Sequence, residues 1–207
     1  MSVKTKKPET AVNYICTFTN YNWLKLFEIT SFYDDIYNWF TLLKKIEIEL
    51  TGYVIMPNHL HCILFLPPDS KTIDKIIGNG KRFMAYDIVA KLEELNRTDL
   101  LTILEQGVSE KEKLKKHKHK VFQPSFDAEP CYNYDFLQQK LNYIHNNPVK
   151  AGFVNLPEEY KHSSAHYYLT GEQGIYPVTH YLYTFGEAPY FEQVKRRHDQ
   201  QRPQHET

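Results

Sequence analysis

Gly52-Tyr-Val-Ile-Met-Pro-Asn-His-Leu-His-Cys-Ile-Leu-Phe-Leu-Pro67 is the stretch whose reading decides the fold. Two runs of β-branched, aromatic and aliphatic residues flank Pro57-Asn58, a pair suited to a tight turn. The pattern predicts a β-hairpin, with Ile46 to Met56 as one strand, His59 to Leu66 as its partner, and Pro67-Pro68 closing it. Side chains alternate along a strand, so residues two apart share a face. His59 and His61 then project together, while Leu60, Cys62 and Leu64 project the other way. Two neutral imidazoles side by side make half of a divalent-metal site. Alternation also removes Cys62 from that site. A histidine pair alone is weak evidence, because such pairs arise by chance. The apolar strand that would hold it rigidly, and a second cluster far downstream, strengthen it.

Working outward, Val12 to Thr19 reads as a strand, being rich in β-branched and aromatic residues. Ser31-Phe-Tyr-Asp34 resembles a capping box. Phe32, Ile36, Trp39, Phe40 and Leu43 then recur at helical spacing to about Lys45. Ile73, Ile76, Ile77, Phe83, Met84, Ile88, Val89 and Leu92 predict a second helix, interrupted or delayed at Gly78-Asn-Gly80. Residues 96–120 turn polar and lysine-rich, which suits an exposed helical extension or loop inserted in the domain. Val121-Phe122 is read as the start of a short fourth strand. A further helix is expected from near Asp135 to Asn147, and one more over Ser163 to Leu169. The order β-α-β-β-α-β is that of a split β-α-β unit. The expected fold class is therefore α+β, a ferredoxin-like (RRM-like) antiparallel sheet with helices packed on one face. One domain spanning residues 11–170 is expected, with a disordered lead-in over 1–10 and a C-terminal extension over 171–207, disordered after about residue 193.

Composition narrows the function classes. The 207 residues carry no net charge with histidines neutral, so the chain lacks a generic nucleic-acid signature. Charge is nevertheless uneven. Lys111 to Lys120 alternates lysine with glutamate and histidine, and Lys195-Arg-Arg-His198 lies near the C-terminus. Each run by itself is best read as a solvated face or tail. Cys16, Cys62 and Cys131 are odd in number and far apart, so neither a disulfide framework nor a cysteine zinc site is indicated. No apolar run is long enough to span a membrane, and the first residues lack the apolar core of a signal peptide. A cytoplasmic location is the simplest expectation.

The second cluster is Asp135-Phe-Leu-Gln-Gln-Lys-Leu-Asn-Tyr-Ile-His-Asn-Asn-Pro148. Leu137, Leu141 and Ile144 follow an i, i+4, i+7 pattern and would pack on the sheet. Tyr143 and Asn147 are four apart and share a helix face. Pro148 disfavours helix at Asn147, which places that residue at the helix terminus. Tyr143 has two readings: an ordinary helix tyrosine among sixteen, or a nucleophile. Asn147 is either a capping residue or a ligand beside that nucleophile. His145 points away from the pair and reads as structural or surface. A phenol, with a pKa near 10, attacks poorly at neutral pH unless it or the electrophile is activated. A metal held by His59, His61 and Asn147 would activate a phosphodiester and leave positions open for water and a phosphate oxygen.

These segments resemble a known family, the single-tyrosine HUH transposases, and within it the REP-associated tyrosine transposases. The matching residues are Tyr53-Val-Ile-Met-Pro-Asn-His-Leu-His61 and Leu141-Asn-Tyr-Ile-His-Asn-Asn-Pro-Val-Lys-Ala-Gly-Phe-Val154. Leu24-Lys-Leu-Phe27 and Pro157-Glu-Glu-Tyr-Lys-His-Ser-Ser-Ala165 add weaker matches in the same order. The resemblance implies a ferredoxin-like catalytic domain that cleaves and rejoins single-stranded DNA near a hairpin. By position it implies His59 and His61 as metal ligands, Asn147 as the third, Tyr143 as the nucleophile, and Mg²⁺ or Mn²⁺ as the metal. It implies a 5′-phosphotyrosine intermediate and a free 3′-OH, without ATP. Some relatives dimerise and set the tyrosine helix against the partner's histidines, which leaves a homodimer open. The chain departs from the family where Ser125-Phe-Asp-Ala-Glu lacks an expected histidine, and it is less basic than DNA-binding relatives. Three alternatives stand beside this reading. One is a non-catalytic nucleic-acid module with Tyr14 and Phe18 stacking bases on the sheet. The second is a phosphodiesterase using activated water. The third is a domesticated transposase acting as a regulator.

Overall fold

The computed structural model describes residues 8, 10–123 and 127–185. Most of the lead-in (residues 1–7 and 9), Ser125 and everything after residue 185, including Lys195-Arg-Arg-His198, lie outside the described residues. In chain order come β1 (Val12–Thr19), α1 (Leu26–Ile29), α2 (Tyr33–Lys44), β2 (Glu49–Met56), β3 (His59–Leu66) and α3 (Ile73–Glu94). They are followed by α4 (Thr98–Gln106), α5 (Glu110–Lys113), β4 (Asp127–Cys131), α6 (Tyr134–His145), α7 (Asn147–Lys150), α8 (Ala165–Thr170) and α9 (Tyr181–Thr184). The sheet order is β2-β3-β1-β4 with antiparallel neighbours throughout, the arrangement of a ferredoxin-like β-α-β-β-α-β unit.

Both sheet faces are covered. On one, Tyr14, Cys16 and Phe18 of β1 join Leu60, Cys62 and Leu64 of β3 beneath α2 and α3, as the alternation predicts. Ile36, Phe40 and Leu43 of α2 and Ile76, Ile77, Met84 and Ile88 of α3 face them. On the other face, α6 lays Leu137, Leu141 and Ile144 against Ile15, Val54, Met56 and Ile63. Gly52 makes this approach close, since a Cβ built there would lie 2.5 Å from Leu141 Cδ1. The register shifts between Leu50 and Gly52, and the Thr51 hydroxyl donates to the Ile63 carbonyl at 3.2 Å. Edge strand β2 is covered by a returning strap. Ile55 N donates to His162 O (2.9 Å), Ser164 N to Tyr53 O (3.0 Å) and Thr179 N to Leu50 O (2.9 Å). Paired in this way, the edge is not open to another chain.

Several local expectations are corrected. Ser31 does not cap α2, because its backbone is left-handed (φ 52°) and α2 starts after Phe32 with no side-chain cap. β2 begins at Glu49 rather than Ile46, because Glu47 turns through φ 61° and Ile48 N donates back to Leu43 O. α3 runs unbroken through Gly78-Asn-Gly80, where Gly80 permits close contact with the Trp39 indole of α2. Residues 98–113 form α4 and α5, and Leu100 and Leu104 are buried. Val121-Phe122 does not begin the fourth strand. Phe122 makes a single bridge to Asn20, and β4 runs from Asp127 to Cys131. With Pro130 in it, β4 suits the sheet edge it occupies and carries little strand signature. α6 ends at His145, and Asn147 opens α7 instead of ending the tyrosine helix.

The two glycines of α3 separate propensity from packing. A Cβ at Gly78 meets nothing within 4 Å, whereas one at Gly80 would lie 2.9 Å from the Trp39 ring. Gly78→Ala is expected to stabilise the protein by about 0.5–1 kcal/mol. Gly80→Leu is expected to destabilise it by about 1–3 kcal/mol through overpacking. Urea denaturation of the two variants beside the parent chain reads both signs.

Candidate active site

Three elements converge on the α6 face of the sheet, at the turn end of the hairpin. His59 and His61 leave β3 on that face with ring centroids 4.8 Å apart. Thr17 pairs with His61 across β1 and β3, and its Oγ1 lies 2.7 Å from His61 Nδ1. In the β2–β3 turn, Asn58 Oδ1 lies 2.7 Å from His59 Nδ1, so the ring N–H donates to the amide oxygen. That bond fixes the tautomer and leaves the His59 Nε2 lone pair outward. Thr17 Oγ1 can accept from His61 Nδ1–H, the tautomer that leaves Nε2 of that ring as the lone-pair nitrogen. Oriented imidazoles of this kind are what metal-binding histidines use.

Burial holds both rings neutral. It pushes His59 down to about 4 and, aided by its neighbour His59, pushes His61 down to about 3. His61 is 6% exposed, buried beneath Tyr143 of α6. The Tyr143 ring stands edge-on to it, with centroids 5.7 Å apart and planes at 73°. Tyr143 itself is 48% exposed, so its ring roofs His61 and remains open to solvent. Lys150 Nζ sits 5.3 Å from the centroid of the Tyr143 ring.

Asn147 follows one turn after Tyr143. Its amide nitrogen donates to the Tyr143 carbonyl (3.1 Å) and the Ile144 carbonyl (3.5 Å), so the side-chain oxygen is directed away from the helix backbone. Asn147 makes no hydrogen bond to either histidine. Of the four residues named from the sequence, His59, His61 and Tyr143 are brought into ring contact, while Asn147 is held one turn on, against the Tyr143 carbonyl. Among the described residues no three His, Cys, Asp or Glu side chains form a group suited to a metal. The chemistry available is two neutral nitrogen donors, one amide oxygen, a phenol and an ammonium. His145, read as structural or surface, is buried, and its Nε2 lies 2.8 Å from Ser164 Oγ.

The sequence reading passed over Thr17, Asn58 as a histidine partner, Lys150 and Trp23. The last stands T-shaped to His59 at 5.7 Å and 78°. Cross-strand register would have found Thr17 once β1 and β3 were paired; no sequence signal marks the others.

This is a ferredoxin-like sheet with a histidine pair on one face, set under a tyrosine-bearing helix. A solved structure of a REP-associated tyrosine transposase bound to a REP hairpin has the same fold. It is similar over 81% of this chain and 85% of that one, at a TM-score of 0.57 and 17% identity. A candidate transposase from Deinococcus radiodurans R1 is more loosely similar, at a TM-score of 0.41 and 16% identity over 69% of this chain and 95% of that one. No protein-family model and no curated protein sequence matches the chain.

The buried histidines make a pH prediction. His59, His61 and His145 all have folded pKa values below the unfolded value near 6.5, and burial pushes His145 down to about 3. The unfolded chain then binds more protons than the folded one below pH 6.5. Stability is fully present above that pH and declines as pH falls through 6.5 toward about 4. Denaturant titrations at pH 7.5 and pH 5 are expected to differ by roughly 2 kcal/mol per buried histidine. His61→Asn or His145→Asn should flatten the slope.

Proposed function

We propose that this protein is a single-strand DNA transposase or endonuclease that cleaves and rejoins DNA near hairpins. The intermediate is a 5′-phosphotyrosine on Tyr143, and His59, His61 and Asn147 hold a divalent cation. The observation that carries this reading is the Tyr143 ring lying edge-on over His61 on a helix packed across the sheet. The fold shared with a transposase bound to a REP hairpin supports DNA as the partner. No described helix is long and apolar enough to cross a membrane.

His59, His61 and the side-chain oxygen of Asn147 are the residues that would hold a divalent ion. Such an ion supplies Lewis-acid polarisation of a non-bridging phosphate oxygen. The nitrogen-rich set favours Mn²⁺ over Mg²⁺, which prefers oxygen donors. The chain's own residues do the rest. Tyr143 Oη attacks phosphorus and gives up its proton to solvent. The phosphorus–O3′ bond breaks, and the leaving 3′ oxygen takes a proton from water to become a 3′-OH. One phosphodiester bond is exchanged for another, so rejoining by a 3′-OH that displaces the phenol needs no ATP. Lys150, beside the Tyr143 ring, contributes positive potential where the phosphate and the developing phenolate lie.

A base-stacking module built on Tyr14 and Phe18 loses its surface, because both rings are buried under α2 and α3. A domesticated regulator without catalysis is a different outcome of the same experiment. Incubation with labelled single-stranded hairpin DNA and Mn²⁺ is expected to give a protein–DNA adduct that Tyr143→Phe abolishes. Cleavage with no adduct would transfer the assignment to an activated water; DNA binding without cleavage would point to the regulator. Mn²⁺ is expected to support more adduct than Mg²⁺, and chelation to remove it. His61→Ala should also cost about 1–3 kcal/mol of stability by leaving Thr17 without its buried partner. His59→Ala, at a half-buried position, should cost less.

A further inference from the structure

We infer that Trp23 is the platform on which a base of the single-stranded substrate stacks beside the histidine pair. This inference rests on the proposed DNA-cleaving function and adds a specificity-determining residue to it. Three observations carry it. First, Trp23 is 60% exposed, and its ring contact is to His59, edge to face at 5.7 Å. A large indole left open to water at a site rim is available for a π-face ligand. Second, Trp23 and its neighbour Asn22 both have left-handed backbones, at φ 55° and φ 50°. For a bulky residue that conformation is an outlier costing on the order of 1 kcal/mol or more. Burial of Trp23 does not offset this cost, since most of its side chain is in solvent. Strain kept without a packing return is characteristic of functional sites.

Third, the turn is held from several directions. Trp23 N donates to Asn20 O (3.0 Å), Leu24 N to Tyr21 O (3.1 Å), and the buried Asn20 side chain to Leu24 O (3.2 Å). Asn58 Nδ2 donates to the Trp23 carbonyl at 3.3 Å, while Asn58 Oδ1 orients His59. One amide therefore fixes both the histidine tautomer and the tryptophan position. A base on the outer face of Trp23 would lie within one ring of His59, with its sugar-phosphate within reach of the pair. Stacking on an aromatic face tolerates any base, because every base has a π-face.

Fluorescence tests this without requiring cleavage. The chain has two tryptophans, Trp23 and Trp39, so Trp39→Phe leaves Trp23 as the reporter. A random-sequence single-stranded oligonucleotide is expected to quench that emission, and an abasic oligonucleotide of equal length is not. In the parent chain, Trp23→Ala is expected to weaken oligonucleotide binding, read by anisotropy, by roughly ten-fold or more, the loss expected for one base stack. Trp23→Tyr should recover most of the affinity. Binding without quenching, or Trp23→Ala binding as tightly as the parent, overturns the platform whether or not the Tyr143 adduct forms. Quenching here, with no adduct on hairpin DNA and Mn²⁺, leaves the platform standing and overturns the nucleophile assignment. Absence of DNA binding overturns both.

Discussion

The close approach of α6 to the sheet at Gly52 is the constraint on which the site depends. Leu141 Cδ1 occupies the space that a β-carbon at that position would take. The helix therefore sits low enough for Leu137, Leu141 and Ile144 to be buried together. Tyr143 is two residues beyond Leu141, on the flank of α6 that overhangs the turn end of the hairpin. A side chain at residue 52 would displace Leu141 and lift Tyr143 from His61, because a close-packed interior transmits a local volume change. The last turn is fixed as well. His145 Nε2 lies 2.8 Å from Ser164 Oγ, and Ser164 Oγ accepts from Tyr53 N at 2.9 Å. The strap that covers the β2 edge thus also anchors the tyrosine helix. Edge protection and site assembly use the same residues.

Some of the chain's departures from local rules lie beside the histidines, while others, such as the left-handed Ser31, Glu47 and Asp69, lie at turns elsewhere. Two imidazoles are held neutral in a buried setting that a hydrophobic pair would fill more cheaply. Asn22 and Trp23 adopt left-handed backbones, and Asn20, buried beside them, has an unsatisfied side-chain oxygen. The opposite face, under α2 and α3, is by contrast an apolar cluster with Phe18, Phe40, Leu64 and Ile88 fully or almost fully buried. The α6 face combines its own apolar cluster of Leu137, Leu141, Ile144 and Ile63 with the buried or half-buried imidazoles.

Much of this was legible in the sequence, for identifiable reasons. The span of β3 and the facing of His59 and His61 follow from period-two alternation around an unambiguous turn. The packing of α6 follows from Leu137, Leu141 and Ile144. The errors arose where tertiary contact overrides local preference. Gly80 reads as a break but serves a helix–helix contact with Trp39. Ser31 reads as a cap but ends α1 in a left-handed turn. β4, with Asp127, Glu129 and Pro130 among five residues, is specified by its pairing with β1 rather than by its own composition. The candidate residues were readable one by one. Their supports, Thr17 and Asn58, were not, because hydrogen bonds across register and turn depend on geometry that spacing does not encode.

Chain connectivity ties α6 closely to the sheet of its own chain. Two residues, Tyr132 and Asn133, join β4 to α6, and Asn146 alone separates α6 from α7. Two extended residues reach about 7 Å, so the start of α6 stays beside the end of β4. β4 is itself zipped to β1 from Asn13 opposite Cys131 to Thr17 opposite Asp127. At its other end α6 is held through His145 and Ser164 to the strap on β2. Exchange of the helix with a second copy would require β4 to unpair and the strap to release together. With both tethers short, Tyr143 stands over the His61 of its own chain, and a single polypeptide contains the phenol and both imidazoles.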